Sequence, residues 1–226
     1  MEKKRTKADV TSERILEISL KAFHKRGYDK TTMRDLAEAC GLSPGAFYYH
    51  FESKEEIIQV FYERTLKVFI EDVEKIATST KSCEKRLTQS FHKRFETFRP
   101  SRELLVVLSS AAVDPASSLS PFNDGQREIR ESTIALMKSL IDGSDLNCDK
   151  RLLPYLPSLF WMLLMGFIFY WVFDTSKNQK RTHELIDLMT PQIVRLIRFS
   201  RLPLTGTVID PILKTLELVL PGRKLG

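Results

Sequence analysis

Apolar positions recur at three- and four-residue spacing along almost the whole chain. Strict alternation bounded by hairpin turns is absent, so the pattern predicts an all-α fold. From Thr11 to Arg26 the stripe is Ile15, Leu16, Ile18, Leu20, Ala22 and Phe23, with Gly27 as a C-terminal stop. Two short helices should follow. Thr32 stands as an N-cap with Asp35 in the capping-box position, Leu36 and Ala37 give an apolar face, and Gly41 ends the helix so that Leu42 turns back into the core. Ser43 and Pro44 then form a second start, and Phe47 and Phe51, one turn apart, bury one side. Ser53-Lys54-Glu55-Glu56 is a third start, opening a long helix through Ile57, Ile58, Phe61, Leu66, Phe69, Ile70, Val73 and Ile76 to about Ala77.

Farther on, Leu87, Phe91, Phe95 and Phe98 mark a helix over Cys83 to Arg99, and another runs from Ser101 to about Val113 after Pro100. Asp114 to Asp124, rich in proline and serine, reads as a loop before a helix from Gln126 to Ile141. Leu152 to Phe173 carries no charge and approaches membrane-spanning length, but Pro154 and Pro157 shorten the helix to Ser158 to Phe173. Two readings stand: a membrane span, or a helix covered by its own core on one face and by a second subunit on the other. Short usable length and the lack of a second such segment favour the latter, with no membrane partner. A helix from Thr182 to Arg201 has Leu185, Ile186, Leu188, Met189, Ile193, Leu196 and Ile197 on its apolar side, and Pro191 should kink or divide it. Pro203 ends that helix, Val208 to Leu220 reads as a last one, and Arg223-Lys224 forms a basic tail.

Composition narrows the class. With 226 residues, 42% hydrophobic content and nine glycines, the chain is globular and long enough for a real core. A net charge of +6 and a pI near 9.2 are compatible with nucleic acid without demanding it. The three cysteines, Cys40, Cys83 and Cys148, are far apart and lack ligand spacing, which argues against a disulfide framework or a zinc site and fits the cytoplasm. The polar start MEKKRTKADV lacks a signal peptide's apolar stretch. Its Lys3, Lys4, Arg5 and Lys7 form a basic arm, suited either to phosphates and a minor groove or to a solvated tail. His24, His92 and His183 are scattered, and no nucleophile elbow, P-loop, zinc-protease or dinucleotide signature occurs, so neither a catalytic residue, a metal nor a cofactor is implied.

Helix, glycine turn, helix is the arrangement that sets a second helix in the DNA major groove. From Thr11 to about Phe61 the residues resemble the DNA-binding domain of TetR-type transcriptional regulators. The resemblance is carried by a helix ending at Gly27, Tyr28, Thr31-Thr32, Asp35-Leu36-Ala37, Gly41-Leu42-Ser43, Phe47-Tyr48-Tyr49-His50-Phe51 and Ser53-Lys54-Glu55. It covers about a quarter of the chain. It implies that Thr32 caps its helix and touches a phosphate, that Arg34 reaches a guanine edge or a phosphate, and that Ser43, Pro44, Gly45 and Ala46 face the groove floor. Tyr48 would pack over a base or hold a phosphate, while Tyr49, His50 and Lys54 sit where phosphate contacts are usual. Tyr48 and Tyr49 also suit half-buried amphipathic side chains. The family often has lysine and threonine where this chain has Pro44 and Ala46, so base reading should lean on van der Waals contact, Arg34 and DNA shape.

The resemblance further implies a helix-turn-helix domain over residues 1–56 and a larger helical effector-binding and dimerisation domain over 57–226. Phe91, Phe95, Phe98, Trp161, Met165 and Phe169 would line an apolar pocket, with His92 or Tyr155 as polar contacts; plain core packing is the competing account of each aromatic. The expectation is a homodimeric repressor that binds a palindromic DNA operator through that domain, paired by the helices around Ser158 to Phe173 and Thr182 to Arg201, and released by a small hydrophobic effector. The alternative is a DNA-bound adaptor that recruits a protein partner through its helical domain.

Overall fold

The computed structural model describes residues 7–202 and 206–219, and among them the regular structure is helical, with no strand. Among the described residues ten α-helices follow one another: α1 (Lys7–Arg26), α2 (Met33–Cys40), α3 (Pro44–Tyr48), α4 (Lys54–Ser79), α5 (Cys83–Phe98), α6 (Arg102–Val113), α7 (Arg127–Ile141), α8 (Leu156–Phe173), α9 (Lys180–Phe199) and α10 (Gly206–Val219). The basic arm at Lys3 to Arg5, the stop at Pro203 and the Arg223-Lys224 tail lie outside the described residues.

The chain forms two compact units, one of residues 1–66 and 98–130, the other of residues 67–97 and 131–226. In the first, α1 buries Ile15, Leu16 and Phe23 together with Ser19, a polar residue on the same face. Leu36, Ala37, Phe47, Phe51, Ile57 and Ile58 close this small core, in which the Phe47 and Phe51 rings lie 6.4 Å apart. Buried Thr31 ties the preceding turn by donating to the Gly27 carbonyl at 2.7 Å. Helix α6 packs on α1, where His24 and Glu103 approach to 3.0 Å.

The segment read as a loop from Asp114 to Asp124 is irregular but anchored. Leu119, Ser120 and Gln126 are buried, the Gln126 amide donates to Gln59 Oε1 and the Ser118 carbonyl at 3.0 Å each, and Arg130 donates to the Pro121 and Asn123 carbonyls. These bonds give the Ser118, Pro121 and Asn123 carbonyls partners within the protein, as buried backbone requires.

In the second unit, aromatic rings join α5 to α8: Phe91 meets Phe167 at 5.4 Å and Phe95 meets Trp171 at 5.3 Å. Arg86, buried, donates to the carbonyls of Thr80, Leu140 and Asp142, which supplies partners to the C-terminal end of α7. Of the two outcomes its position suggested, a kink or a division, Pro191 does not bring about the division: α9 runs from Lys180 to Phe199 as one helix. Proline removes one backbone donor, but Ile186, Thr190 and Val194, spaced four apart and buried on either side of it, keep both halves on one packed face.

Helix α8 is the one described helix long and apolar enough to cross a membrane, and half of it is buried within the chain. The rest forms a stripe of Met162, Gly166, Tyr170 and Phe173 that the chain leaves open, with Phe173 67% exposed. On neighbouring α9, Leu188, Met189, Leu196 and Phe199 form a second uncovered apolar row.

Candidate functional site

The site is built from three helix ends. At the first, Thr32 caps α2 as the capping box requires: its hydroxyl accepts the Asp35 N–H at 3.2 Å while Asp35 Oδ2 accepts the Thr32 N–H at 2.8 Å. The Thr32 hydroxyl also donates to Asp35 Oδ2 at 2.6 Å, so its proton is engaged within the protein before any phosphate arrives. These bonds, with the charge of Arg26 at 3.3 Å, hold the Asp35 carboxyl below its usual range. Arg34 stands exposed beside it.

At the second, Gly41 takes φ 68° and ψ 30°, the left-handed conformation that allows Leu42 N–H to reach back to the Ala37 carbonyl at 3.0 Å. Ser43 caps α3 by accepting the Ala46 N–H at 3.2 Å, and Pro44 occupies the first turn, where it loses no hydrogen bond. The result is a helix of five residues whose Phe47 is sealed while Pro44, Gly45, Ala46 and Tyr48 stand exposed, Tyr48 at 50% and Tyr49, just beyond, at 84%. His50 follows, half-buried, its Nδ1 3.0 Å from Ser12 Oγ and its ring edge-on to Tyr49.

At the third, Lys54 opens α4. Its ammonium donates to the Tyr28 carbonyl at 2.9 Å and lies 4.4 Å above the Tyr28 ring, while the Tyr28 hydroxyl donates to Glu55 at 2.8 Å. Burial, reinforced by that carboxylate, pushes the Tyr28 phenol well above its ordinary range, so it stays a donor. An ammonium has three N–H groups, and this arrangement uses one. Arg34, the exposed part of α3, His50 and Lys54 therefore belong to one small unit, and the sequence-predicted DNA residues are brought together there. Sequence reading missed Ser12 and Tyr28 as the supports of His50 and Lys54, because neither bond leaves a trace in local spacing.

The residues expected to line an effector pocket are distributed differently. Phe98 belongs to the first unit and the other seven to the second. Phe91, Phe95 and Trp161 are buried and Met165 and Phe169 half-buried, but the rings that meet Phe91 and Phe95 are Phe167 and Trp171, which the sequence did not single out. Tyr155 is fully buried, with no hydrogen-bond partner for its hydroxyl among the described residues. His92 and His183, scattered in sequence, stack with Nδ1 atoms 2.8 Å apart, and His92 Nε2 lies 2.7 Å from Asp187 Oδ1. Among the described residues no group of three or more histidine, cysteine or acidic side chains has the geometry to hold a metal ion.

Residues 15–60 match the family described as bacterial regulatory proteins, tetR family, and residues 86–214, more than half of the chain, match the tetracyclin repressor-like C-terminal domain. The HTH-type transcriptional regulator YerO of Bacillus subtilis is 31% identical over 105 residues, which cover 46% of this chain and 36% of that protein. TtgR of Pseudomonas putida, another HTH-type transcriptional regulator, is 42% identical over 62 residues, 26% of this chain and 30% of that protein. The chain thus spans about a third of the length of these curated relatives. The solved structure of the fatty acid degradation regulator FadR from Bacillus halodurans shares the fold, with a TM-score of 0.62 at 15% identity over 83% of this chain and 98% of that one. With both of its parts matched and the capped helix-turn-helix in place, the chain belongs to the TetR family of DNA-binding transcriptional regulators.

Proposed function

We propose that this protein is a cytoplasmic, homodimeric repressor that reads a palindromic operator within residues 1–56 and is released by a small, largely hydrophobic effector bound within residues 57–226. The observation that carries the DNA-reading part is the outward face of α3. Small Gly45 and Ala46 allow close approach to base edges, exposed Tyr48 and Tyr49 offer stacking and hydroxyl contact, and Arg34, His50 and Lys54 supply donors for guanine or phosphate. One five-residue helix covers too little DNA for selective binding, and two copies on successive turns roughly add their free energies.

Support for pairing comes from the open rows of α8 and α9. Among the described residues, nothing outside the neighbouring turns of α8 lies within 4 Å of a Cβ built on Gly166, which sits mid-helix where glycine costs about 1 kcal/mol relative to alanine, so its place suits the backbone of a second copy. Together these rows are an apolar surface of the kind that four-helix contacts between subunits bury. The aromatic interior of the second unit favours an effector with a hydrophobic body.

Selection of bound fragments from random or genomic duplex DNA tests the reading. The expected result is an inverted repeat with half-sites about one helical turn apart, or a multiple of it. Hydrophobic compounds screened on that operator should include one that lowers affinity. If affinity holds for every compound shown to bind the protein at saturation, release by effector is wrong and the adaptor account takes its place.

A further inference from the structure

Ser12 lies early in α1 and His50 just beyond α3, thirty-eight residues later, yet the Ser12 hydroxyl stands 3.0 Å from His50 Nδ1. The residue is held at two more points: the His50 backbone N–H donates to the Phe47 carbonyl at 2.9 Å, and the imidazole meets the Tyr49 ring edge-on with centroids 5.4 Å apart. The Nδ1 edge of the ring is thereby occupied by the protein. The opposite edge, with Nε2, is the one left to address a ligand.

We propose that Ser12 is a positioning residue for DNA binding: its hydroxyl fixes the orientation of the His50 ring so that the Nε2 edge faces a backbone phosphate and donates to it. This rests on the reading of His50 as a phosphate contact. A neutral imidazole carries one N–H, on either nitrogen. When the Ser12 O–H donates into Nδ1, that proton resides on Nε2 and points to the acceptor. Without the hydroxyl the ring turns about its side-chain torsions, and Nε2 no longer stands in one place for the phosphate. If the ring is protonated, Ser12 Oγ accepts the Nδ1–H instead and Nε2–H keeps its direction. A hydroxyl serves both states because it donates and accepts, which an amide N–H or a carbonyl does not.

Phosphate contacts are independent of sequence, so a short random-sequence duplex at low salt is a sufficient probe. Ser12→Ala should weaken its binding roughly 3- to 10-fold, the range for one lost hydrogen bond. Ser12→Thr, which keeps the hydroxyl, should bind like the unaltered protein. In a His50→Ala background the further change Ser12→Ala should cost nothing, since its effect runs through the imidazole. In the free protein the ring shifts of His50 should move in Ser12→Ala and return in Ser12→Thr while those of His24, on the same helix, stay in place, a pattern that general loosening of α1 would not produce. Unchanged binding or unchanged ring shifts in Ser12→Ala, or an equal loss in the two backgrounds, overturns the positioning role while the phosphate role of His50 stands. Unaltered binding by His50→Ala itself removes the phosphate role.

Discussion

The carboxylate of Asp174 accepts both the N–H and the hydroxyl of Thr182, at 2.9 and 2.7 Å, across a tight turn. Its other oxygen accepts the N–H and hydroxyl of Ser176, so one side chain ends α8 and caps α9. The turn needs that support, because Asn178 and Gln179 both hold positive φ, at 55° and 53°, a conformation that costs residues other than glycine. Burial by itself would raise the Asp174 carboxyl, but the bonds from Ser176 and Thr182 outweigh it and bring it down to about 2. A lowered folded value means the stabilisation is complete above the unfolded value near 3.8 and is lost as pH falls through about 2. Asp174→Asn should therefore cost about 2 kcal/mol in urea unfolding at pH 7, and the gap should close toward pH 2. A gap of constant size down to that pH would show that the charge is not what holds the turn.

Lys54 is held over Tyr28 by the protein itself, so its charge is pre-positioned at the start of α4. Lys54→Gln should weaken binding by a similar factor on every duplex tested and reduce the slope of log affinity against log salt by about 1. Loss confined to one sequence would instead make it a base-reading residue.

Gly45 lies in helical backbone where, among the described residues outside its own helix turn, nothing is within 4 Å of the place a Cβ would take, so packing gives no reason for glycine there. Gly45→Ala should raise stability by about 0.5 to 1 kcal/mol in thermal or urea unfolding. Operator affinity should fall at the same time if α3 lies close against base edges. Higher stability with undiminished affinity would place the groove contact elsewhere on the helix.

Leu196 is 67% exposed in the single chain, so Leu196→Glu should leave the fold intact by circular dichroism. On the proposed pairing it should shift the protein from dimer to monomer in sedimentation velocity, because a charge would be trapped in an apolar contact, and operator affinity should fall with it. Retention of the dimer would exclude this face of α9 from the subunit contact.

Much of this architecture is legible in the residues alone, since its signals are local. The caps at Thr32, Ser43 and Ser53 and the stops at Gly27 and Gly41 act within a few residues of the backbone they satisfy. Asp174 was not legible in this way: it reaches eight residues along the chain, and the polar run from Thr175 to Lys180 looked like an ordinary turn. Of the kink or division that Pro191 suggested, division did not occur, as burial on both sides of it keeps α9 one helix.

By itself, then, the sequence determined a helical chain, a capped helix-turn-helix and the residues on its outer face, because periodicity and capping are short-range physics. Only the tertiary structure decided which partners meet: in the first unit Ser12 for His50 and Tyr28 for Lys54, and in the second His183 and Asp187 for His92, Phe167 and Trp171 for Phe91 and Phe95. It also decided which apolar rows of α8 and α9 the chain leaves uncovered. Such pairings depend on where distant segments meet in space, and residue spacing along a chain carries no record of that.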